Sequence, residues 1–139
     1  MVNGKNMPKE KRSLCYRKEE LDEIRNLYES IMSVASHGLF FRSGKILGRR
    51  FVERSYGGEK YSNMLVEEGW ASEVIFNGGD VCVTESIEVI PGKGECTCHM
   101  LRGVLSRIIE EREKKPCLVK ETMCVSKGDV VCKFHYGGD

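Results

Sequence analysis

The sequence predicts an α+β fold in which an antiparallel sheet of hairpins carries helices packed on one face. Apolar residues recur at helical spacing in the first half of the chain, and short β-prone runs separated by turn residues follow. One further helical pattern lies between two such hairpins. Helices followed by a meander of strands favour an antiparallel sheet and disfavour parallel βαβ winding.

Three helices are predicted before the first strand. Between Arg17 and Ala35, apolar residues alternate with Glu and Arg at the spacing of an amphipathic helix. His37-Gly38 is expected to end this helix, and a second helix is expected to begin after Ser43-Gly44. A third, short helix is predicted from Glu59 to about Gly69.

The first hairpin comes from two short β-prone runs. Glu73 to Phe76 and Val81 to Thr84 flank the turn sequence Asn77-Gly78-Gly79-Asp80. A third β-prone run, Ile87 to Ile90, is expected to form a strand that stops at Pro91-Gly92-Lys93-Gly94.

The last helix and the second hairpin complete the fold. An apolar stripe from Met100 to Ile109 predicts the best-defined helix of the chain, with Glu110 to Lys115 as its charged end and Pro116 after it. Cys117 to Val125 and Val130 to Tyr136 then predict two paired strands.

The length of 139 residues suits one domain, expected at residues 17–139 after a basic leader of residues 1–16. The apolar runs are too short to cross a bilayer, and the leader lacks the apolar stretch of a secretory signal. A cytoplasmic protein without a membrane span is therefore predicted. With 22 basic and 21 acidic residues, the chain is not expected to bind nucleic acid directly.

Five of the seven cysteines lie in the last third of the chain. The predicted second hairpin carries Glu121, Cys124 and Cys132, and Cys98 is available at the start of the preceding helix. Three sulfurs and one oxygen suit tetrahedral zinc, and four protein ligands would make the ion structural, clamping the helix to the hairpin. The alternative is that these cysteines are small buried hydrophobes.

Strand geometry sets two conditions for this zinc site. Cys124 lies opposite Cys132 only if an odd-length loop is centred on Gly128, because side chains alternate faces along a strand. A two-residue turn would pair Cys124 with Val131 instead. Glu121 and Cys124 are three residues apart, so a bulge or a strand end between them is also predicted.

Three thiolates and a carboxylate around a divalent ion leave a net charge of about −2, which needs compensation when buried. The N-terminus of the helix that follows Cys98 is expected to help. Lys127, Lys133 and His99 are further candidates in the sequence.

Several motifs resemble the C-terminal signature of the 4-vinyl-reductase domain family. They are Cys98-His99-Met100-Leu101-Arg102-Gly103, Glu121-Thr122-Met123-Cys124, Gly128-Asp129 and Cys132-Lys133-Phe134. Together with a Gly-x-x-x-Gly helix start at Gly44, the resemblance spans roughly Ser36 to the end. It implies an α+β ligand-binding domain related in fold to vesicle-tethering particle subunits and usually dimeric.

The same resemblance implies the zinc ligands Cys98, Glu121, Cys124 and Cys132. Cys96 is the rival of Cys98, but it stands seven rather than five residues before Gly103. Members of the family serve as sensor modules of aromatic-responsive transcription activators, and others accompany tetrapyrrole biosynthesis.

A hydrophobic or aromatic small molecule is expected between the helical layer and the sheet. The candidate ligand-binding residues are His37, Phe40, Phe41, Trp70 and Phe76, with Tyr56 as a further aromatic. Each has a plainer interpretation as a core or helix-end residue. Arg102 is expected to meet either an anionic ligand or a surface carboxylate.

The functional hypothesis is a stand-alone sensor or carrier domain, forming a homodimer through its first helix and acting on a protein partner. The alternative is an accessory enzyme of tetrapyrrole metabolism of the vinyl-reductase type. No nucleophile with a base and no redox-cofactor fingerprint is visible in the sequence, so catalysis is not predicted.

Overall fold

The computed structural model describes residues 12–137. Within that range the chain forms four α-helices and four β-strands. In chain order they are α1 (Lys18–Met32), α2 (Ala35–Ser55), α3 (Tyr61–Glu68), β1 (Glu73–Asn77), β2 (Asp80–Thr84), α4 (His99–Glu113), β3 (Lys120–Met123) and β4 (Cys132–His135). No helix in the described range is long and apolar enough to cross a membrane. The predicted leader lies largely outside the described residues, and residues 12–16 are neither helix nor strand.

The four strands form one antiparallel sheet in the order β1-β2-β4-β3. Both predicted hairpins are present, and β2 pairs with β4 to join them. The buried side chains of the central strands, Val81, Val83 and Phe134, share one core with the apolar side of α4. The predicted α+β class, with helices on an antiparallel sheet, is confirmed.

α2 packs against α4 at such short range that their backbones touch. A methyl group added at Gly44 would overlap the carbonyl oxygen of Met100, and one at Gly103 would overlap the carbonyl oxygen of Phe41. One turn further along α2, a Cβ at Gly48 would lie 2.7 Å from the Cβ of Arg107. These glycines are needed for the close approach of two helices.

The predicted boundary between the first two helices is wrong. α1 already ends at Met32, where Ser33 takes a positive φ of 52°. α2 begins at Ala35 and continues through His37-Gly38 and Ser43-Gly44. Gly38 and Gly44 are predicted at helix boundaries, but both lie inside α2, where Gly44 permits the close contact with α4.

The predicted strand at Ile87 to Ile90 is also wrong, because other groups satisfy the backbone there. The N–H of Ile87 donates to the carbonyl of Trp70 at 2.8 Å, and the N–H of Ile90 donates to Ser126 Oγ at 2.8 Å. The ammonium of Lys18 donates to the carbonyls of Ile87 and Val89 at 2.9 and 2.7 Å. The segment is therefore an irregular connection that reaches α1, not a fifth strand.

The helix contact predicts opposite effects for two glycine substitutions in α2. Gly44→Ala is expected to lower the free energy of unfolding by about 1–3 kcal/mol or more, because the helices must separate to admit the methyl group. Gly38→Ala is the matched control, since nothing lies within 4 Å of its added methyl group. It is expected to raise stability by about 0.5–1 kcal/mol through helix propensity. Urea unfolding measures both, and equal effects would contradict the contact.

Candidate functional site

Cys98, Glu121, Cys124 and Cys132 converge beneath the last hairpin. Each offers one ligand atom, and these four atoms all lie within 4.8 Å of one another. The sulfur of Cys132 lies 3.9 Å from the sulfurs of both Cys98 and Cys124, and all three cysteines are fully buried. A disulfide requires about 2.05 Å between sulfurs, so these thiols are separate donors. Cys96 lies outside the group.

The hairpin brings Cys124 and Cys132 together through its register. Met123 pairs with Lys133, which sets Cys124 opposite Cys132 at the end of the ladder. The loop of residues 125–131 contains a short 3-10 turn and Gly128 in a left-handed conformation, with φ of 112°. The register shifts by one residue between Glu121 and Met123. The odd-length loop centred on Gly128 and the predicted bulge are both confirmed.

Cys98 lies at the N-terminal cap of α4, and the hydroxyl of Ser86 is 3.2 Å from its sulfur. The first free N–H groups of the helix do not point to a thiolate. Those of Met100 and Leu101 donate to the two carboxylate oxygens of Glu88, at 3.0 and 2.6 Å. The helix N-terminus therefore stabilises a carboxylate beside the cluster. The helix dipole acts on Cys98 only through its electrostatic potential and not through these N–H groups.

Both carboxylate oxygens of Glu121 are buried and have no hydrogen-bond partner among the described residues. Burial raises the pKa of this carboxyl to about 9, and the neighbouring charge of Cys124 adds to the rise. An unpartnered buried carboxyl is costly unless a cation or proton compensates it. These four residues therefore have the donor set, spacing and unmet need for charge that suit a metal ion.

The thiols show the same need for a cation. Hydrogen bonds among the three sulfurs lower the pKa of Cys124, while the hydrogen bond with Cys124 raises the pKa of Cys132 to about 12. The pKa of Cys98 is raised by the same contacts with Cys124 and Cys132. Without a cation, one thiolate would be stabilised by two thiols, because three adjacent thiolates repel one another.

The positive charge next to the cluster comes from Arg102 rather than from the predicted side chains. The guanidinium of Arg102 lies over the ring of Phe41 at 4.1 Å and donates to the carbonyl of Val119 at 3.4 Å. Burial lowers its pKa, and the charge of Glu121 opposes that shift. Arg102 makes no salt bridge with a described carboxylate. The two expected roles of Arg102, contact with an anionic ligand or with a surface carboxylate, therefore stay predictions.

Lys127, Lys133 and His99, the sequence candidates for charge compensation, are placed differently from Arg102. Lys127 is 3.9 Å from Asp129 in the hairpin loop, and Lys133 alternates with Cys132 and thus faces away from the core. Burial lowers the pKa of His99 to about 4, with a further contribution from His37. His99 is therefore neutral at physiological pH and adds no positive charge.

A buried ion pair that sequence reasoning missed supports the start of α4. Arg25 of α1 donates to Glu88 Oε2 at 2.7 Å and to the carbonyl of Thr97 at 2.6 Å. Both side chains are essentially inaccessible. Burial raises the pKa of Glu88, while the charge of Arg25 acts in the opposite direction. The available signals were a charged residue one turn after Leu21 on the apolar side of α1 and a carboxylate within a β-prone run.

A cavity of about 510 Å³ lies beneath α1. Its walls are mainly apolar side chains of α1 and α2. Ile87, from the connection before α4, and Met100, at the start of α4, also line it. The aromatic rings of Tyr28 and Phe40 stack at 5.7 Å on one side. A polar corner lies at the other side, where Glu68 accepts from Arg50 and from the indole N–H of Trp70 at 2.9 Å.

The structure divides the predicted ligand-binding residues. Phe40 and Trp70 line the cavity, whereas His37, Phe41 and Phe76 do not. The ring of His37 stacks on that of His99 at 4.0 Å, and Phe76 lies under the guanidinium of Arg112 at 5.1 Å. Ligand contact by any of the five stays a prediction.

Tyr56, the further aromatic candidate, is 72% exposed and donates its hydroxyl hydrogen bond to Glu111. It lies outside the cavity lining.

Neither a protein-family model nor a curated protein matches this sequence. Chains of solved structures do match it, and two of them are the following. The phenol-responsive sensory domain of the transcription activator PoxR, in a crystal structure with phenol, has a TM-score of 0.73 and 18% identity, covering 91% of this chain and 76% of that chain. A vinyl-4-reductase family protein from Methanocaldococcus jannaschii has a TM-score of 0.62 and 15% identity, covering 91% and 84%.

This chain shares their fold. The resemblance to the 4-vinyl-reductase family that the sequence motifs carry is therefore confirmed for the fold. Within that 4-vinyl-reductase fold, the four-residue cluster lies on the C-terminal hairpin and α4, and the cavity lies on the opposite, α1 side of α4.

The buried ion pair predicts a large loss of stability when one partner is removed. Glu88→Gln is expected to lower the free energy of unfolding by about 3–5 kcal/mol, because Arg25 would remain buried without its counter-charge. Asp22→Asn is the control, since it breaks the partly exposed Lys18–Asp22 pair. The control should change stability by at most about 1 kcal/mol. Comparable losses in the two variants would show that Glu88 has no special role.

Proposed function

We propose that this chain is a small-molecule-binding sensor or carrier domain with a structural zinc ion. The observation that carries the proposal is the cavity beneath α1, whose volume of about 510 Å³ lies within the usual range for small-molecule sites. The shared fold with a phenol-responsive sensory domain supports the same function. Ligand identity, protein partner and zinc are all parts of the proposal.

The cavity lining favours a neutral hydrophobic or aromatic ligand. Most of its wall is aliphatic or aromatic, and the stacked rings of Tyr28 and Phe40 offer a flat surface to another ring. The one charged corner is already balanced, because the two carboxylate oxygens of Glu68 accept from Arg50 and Trp70. An anionic ligand would have to displace Glu68 from Arg50, so we expect neutral molecules to bind more tightly.

Zinc suits the cluster by its donor types and by its spacing. Tetrahedral zinc with Zn–S distances of ~2.3 Å separates two sulfur ligands by ~3.8 Å. Two of the three sulfur pairs of the cluster, Cys98–Cys132 and Cys124–Cys132, are at 3.9 Å. Four protein ligands leave no position for a reacting water, so the ion would act structurally, holding α4 to the β3–β4 hairpin. Arg102 would offset part of the net negative charge.

The proposal also includes a homodimer and a cytoplasmic location. Leu27, Ile31 and Val34 follow one side of α1 and its exit, and they are 55%, 73% and 73% exposed. A second copy of the chain is the occupant that we expect on this apolar side. Its presence stays a prediction. A cytoplasmic location, also a prediction, would keep the metal-binding thiols reduced.

The zinc proposal predicts the metal content of two cysteine variants. The purified chain should contain about one zinc ion, and Cys124→Ser should lose it together with thermal stability. Cys117→Ser is the matched control, because Cys117 lies outside the cluster and its thiol donates to the carbonyl of Lys115. The control should keep its zinc. Elemental analysis of protein prepared without chelator decides the matter, and a metal-free parent chain would exclude the structural zinc ion.

Ligand binding predicts a change in fluorescence, because Trp70 is the chain's single tryptophan and lines the cavity. Titration with phenol and with larger neutral aromatics should shift or quench its emission with saturation. A visible absorbance scan of the same sample tests the accessory-enzyme alternative, since a co-purified tetrapyrrole colours the protein.

Two matched substitutions show whether that signal comes from the cavity. Ile24→Phe adds bulk to the cavity wall and should weaken binding by about tenfold, a cost of about 1.4 kcal/mol. Ile46→Phe is the same exchange on the exposed side of α2, at a residue that is 62% exposed. It should bind like the parent. Equal titration curves for all three chains would mean that the ligand lies elsewhere.

A further inference from the structure

A second group of potential metal ligands lies away from the cysteine cluster. Glu29 of α1, His37 of α2 and Glu95 of the segment before α4 each offer one ligand atom, and these atoms lie within 4.8 Å of one another. We propose that these three residues bind a divalent transition-metal ion that ties α1 to α2 and to the segment before α4. This site is separate from the proposed structural zinc and does not depend on it.

The three side chains have donors to spare. The carboxylate of Glu95 forms no hydrogen bond or ion pair with any described residue. The ring nitrogens of His37 form no hydrogen bond with a described residue either. The ring of His37 is nevertheless held in place, because it stacks on His99 with 18° between the ring planes. An oriented imidazole with free nitrogens beside two carboxylates is a chelating arrangement, whereas acidic groups alone are usually only solvated.

A divalent ion would neutralise the two carboxylates of this group more completely than the ion pair with Lys93 does. Among the cations of residues 12–137, Lys93 alone forms an ion pair with the group, with its ammonium 3.4 Å from Glu29 Oε2. One ammonium neutralises one of the two carboxylates, whereas a divalent ion would neutralise both. The site is only partly buried, since Glu95 is exposed, so the ion would keep part of its hydration. Lys93 would then turn to solvent.

The donor types indicate which ions would bind. One imidazole nitrogen and two carboxylate oxygens suit Zn²⁺, Co²⁺ or Ni²⁺ better than the all-oxygen ions Ca²⁺ and Mg²⁺. Three protein ligands leave at least one coordination position open to water or to an exogenous ligand. In this the site differs from the cysteine cluster, which has a full set of four protein ligands.

The position of the group gives the ion a structural effect. α1 buries only Leu21 and Arg25, both in its first half, and its second half exposes most of its apolar side chains. Glu29 lies near the C-terminal end of this helix. An ion shared with His37 and Glu95 would therefore fix the part of α1 that side-chain packing holds least.

Calorimetric titration of the zinc-loaded chain of 139 residues with Zn²⁺ tests the proposal. One further ion per chain is expected, with a higher melting temperature. Glu95→Gln and His37→Ala should each weaken that binding by about tenfold or more and remove the gain in melting temperature. Glu95 lies in an exposed segment, so its variant is expected to fold like the parent.

Glu23→Gln is the matched control, because Glu23 is an exposed carboxylate on the same helix as Glu29. It should bind the additional ion as the parent does. Two results would overturn the proposal. One is no additional ion at millimolar Zn²⁺, and the other is an additional ion held equally by the parent, Glu95→Gln and His37→Ala.

Discussion

The carboxylate of Glu88 at the N-terminus of α4 is the contact that organises the domain. It receives the backbone N–H groups of Met100 and Leu101 and the guanidinium of Arg25. The backbone carbonyl of Glu88 accepts a hydrogen bond from the hydroxyl of Thr97 at 2.8 Å. A buried carboxylate persists only when its partners are all present, so α1, the connection after β2 and the start of α4 must assemble together. All three parts line the cavity, and the start of α4 also carries Cys98 of the cysteine cluster.

The cavity and the cysteine cluster are consequently neighbours along the chain and in space. Met100 lines the cavity, while Cys98, two residues earlier, belongs to the cluster. Ile87 lines the cavity, while the hydroxyl of Ser86 contacts the sulfur of Cys98. The same two short stretches of backbone therefore present one side to the cavity and the other to the cysteine cluster. An ion bound in the cluster would therefore also fix the part of the cavity wall that these stretches form.

The sequence allowed the hairpins, α4 and the cysteine cluster to be predicted, because strand alternation and loop parity are local rules. The position of Cys124 opposite Cys132 followed from counting residues around Gly128. The cavity lining could not be found in this way, since the sides of α1 and α2 that meet depend on the backbone contact at Gly44. Arg25 and Glu88 were missed because 63 positions separate the two partners. The group around His37 is equally non-local.

The glycine contact between α2 and α4 also determines where the domain is able to deform. Side chains at an ordinary helix interface adjust by changing rotamers, but two touching backbones have no such freedom. α2, α4 and the sheet behind them thus behave as one stiff frame. α1 is attached to that frame through few buried side chains, and it forms the roof of the cavity. Any deformation of the domain is therefore expected in the second half of α1, beyond its buried residues Leu21 and Arg25, before it reaches this frame.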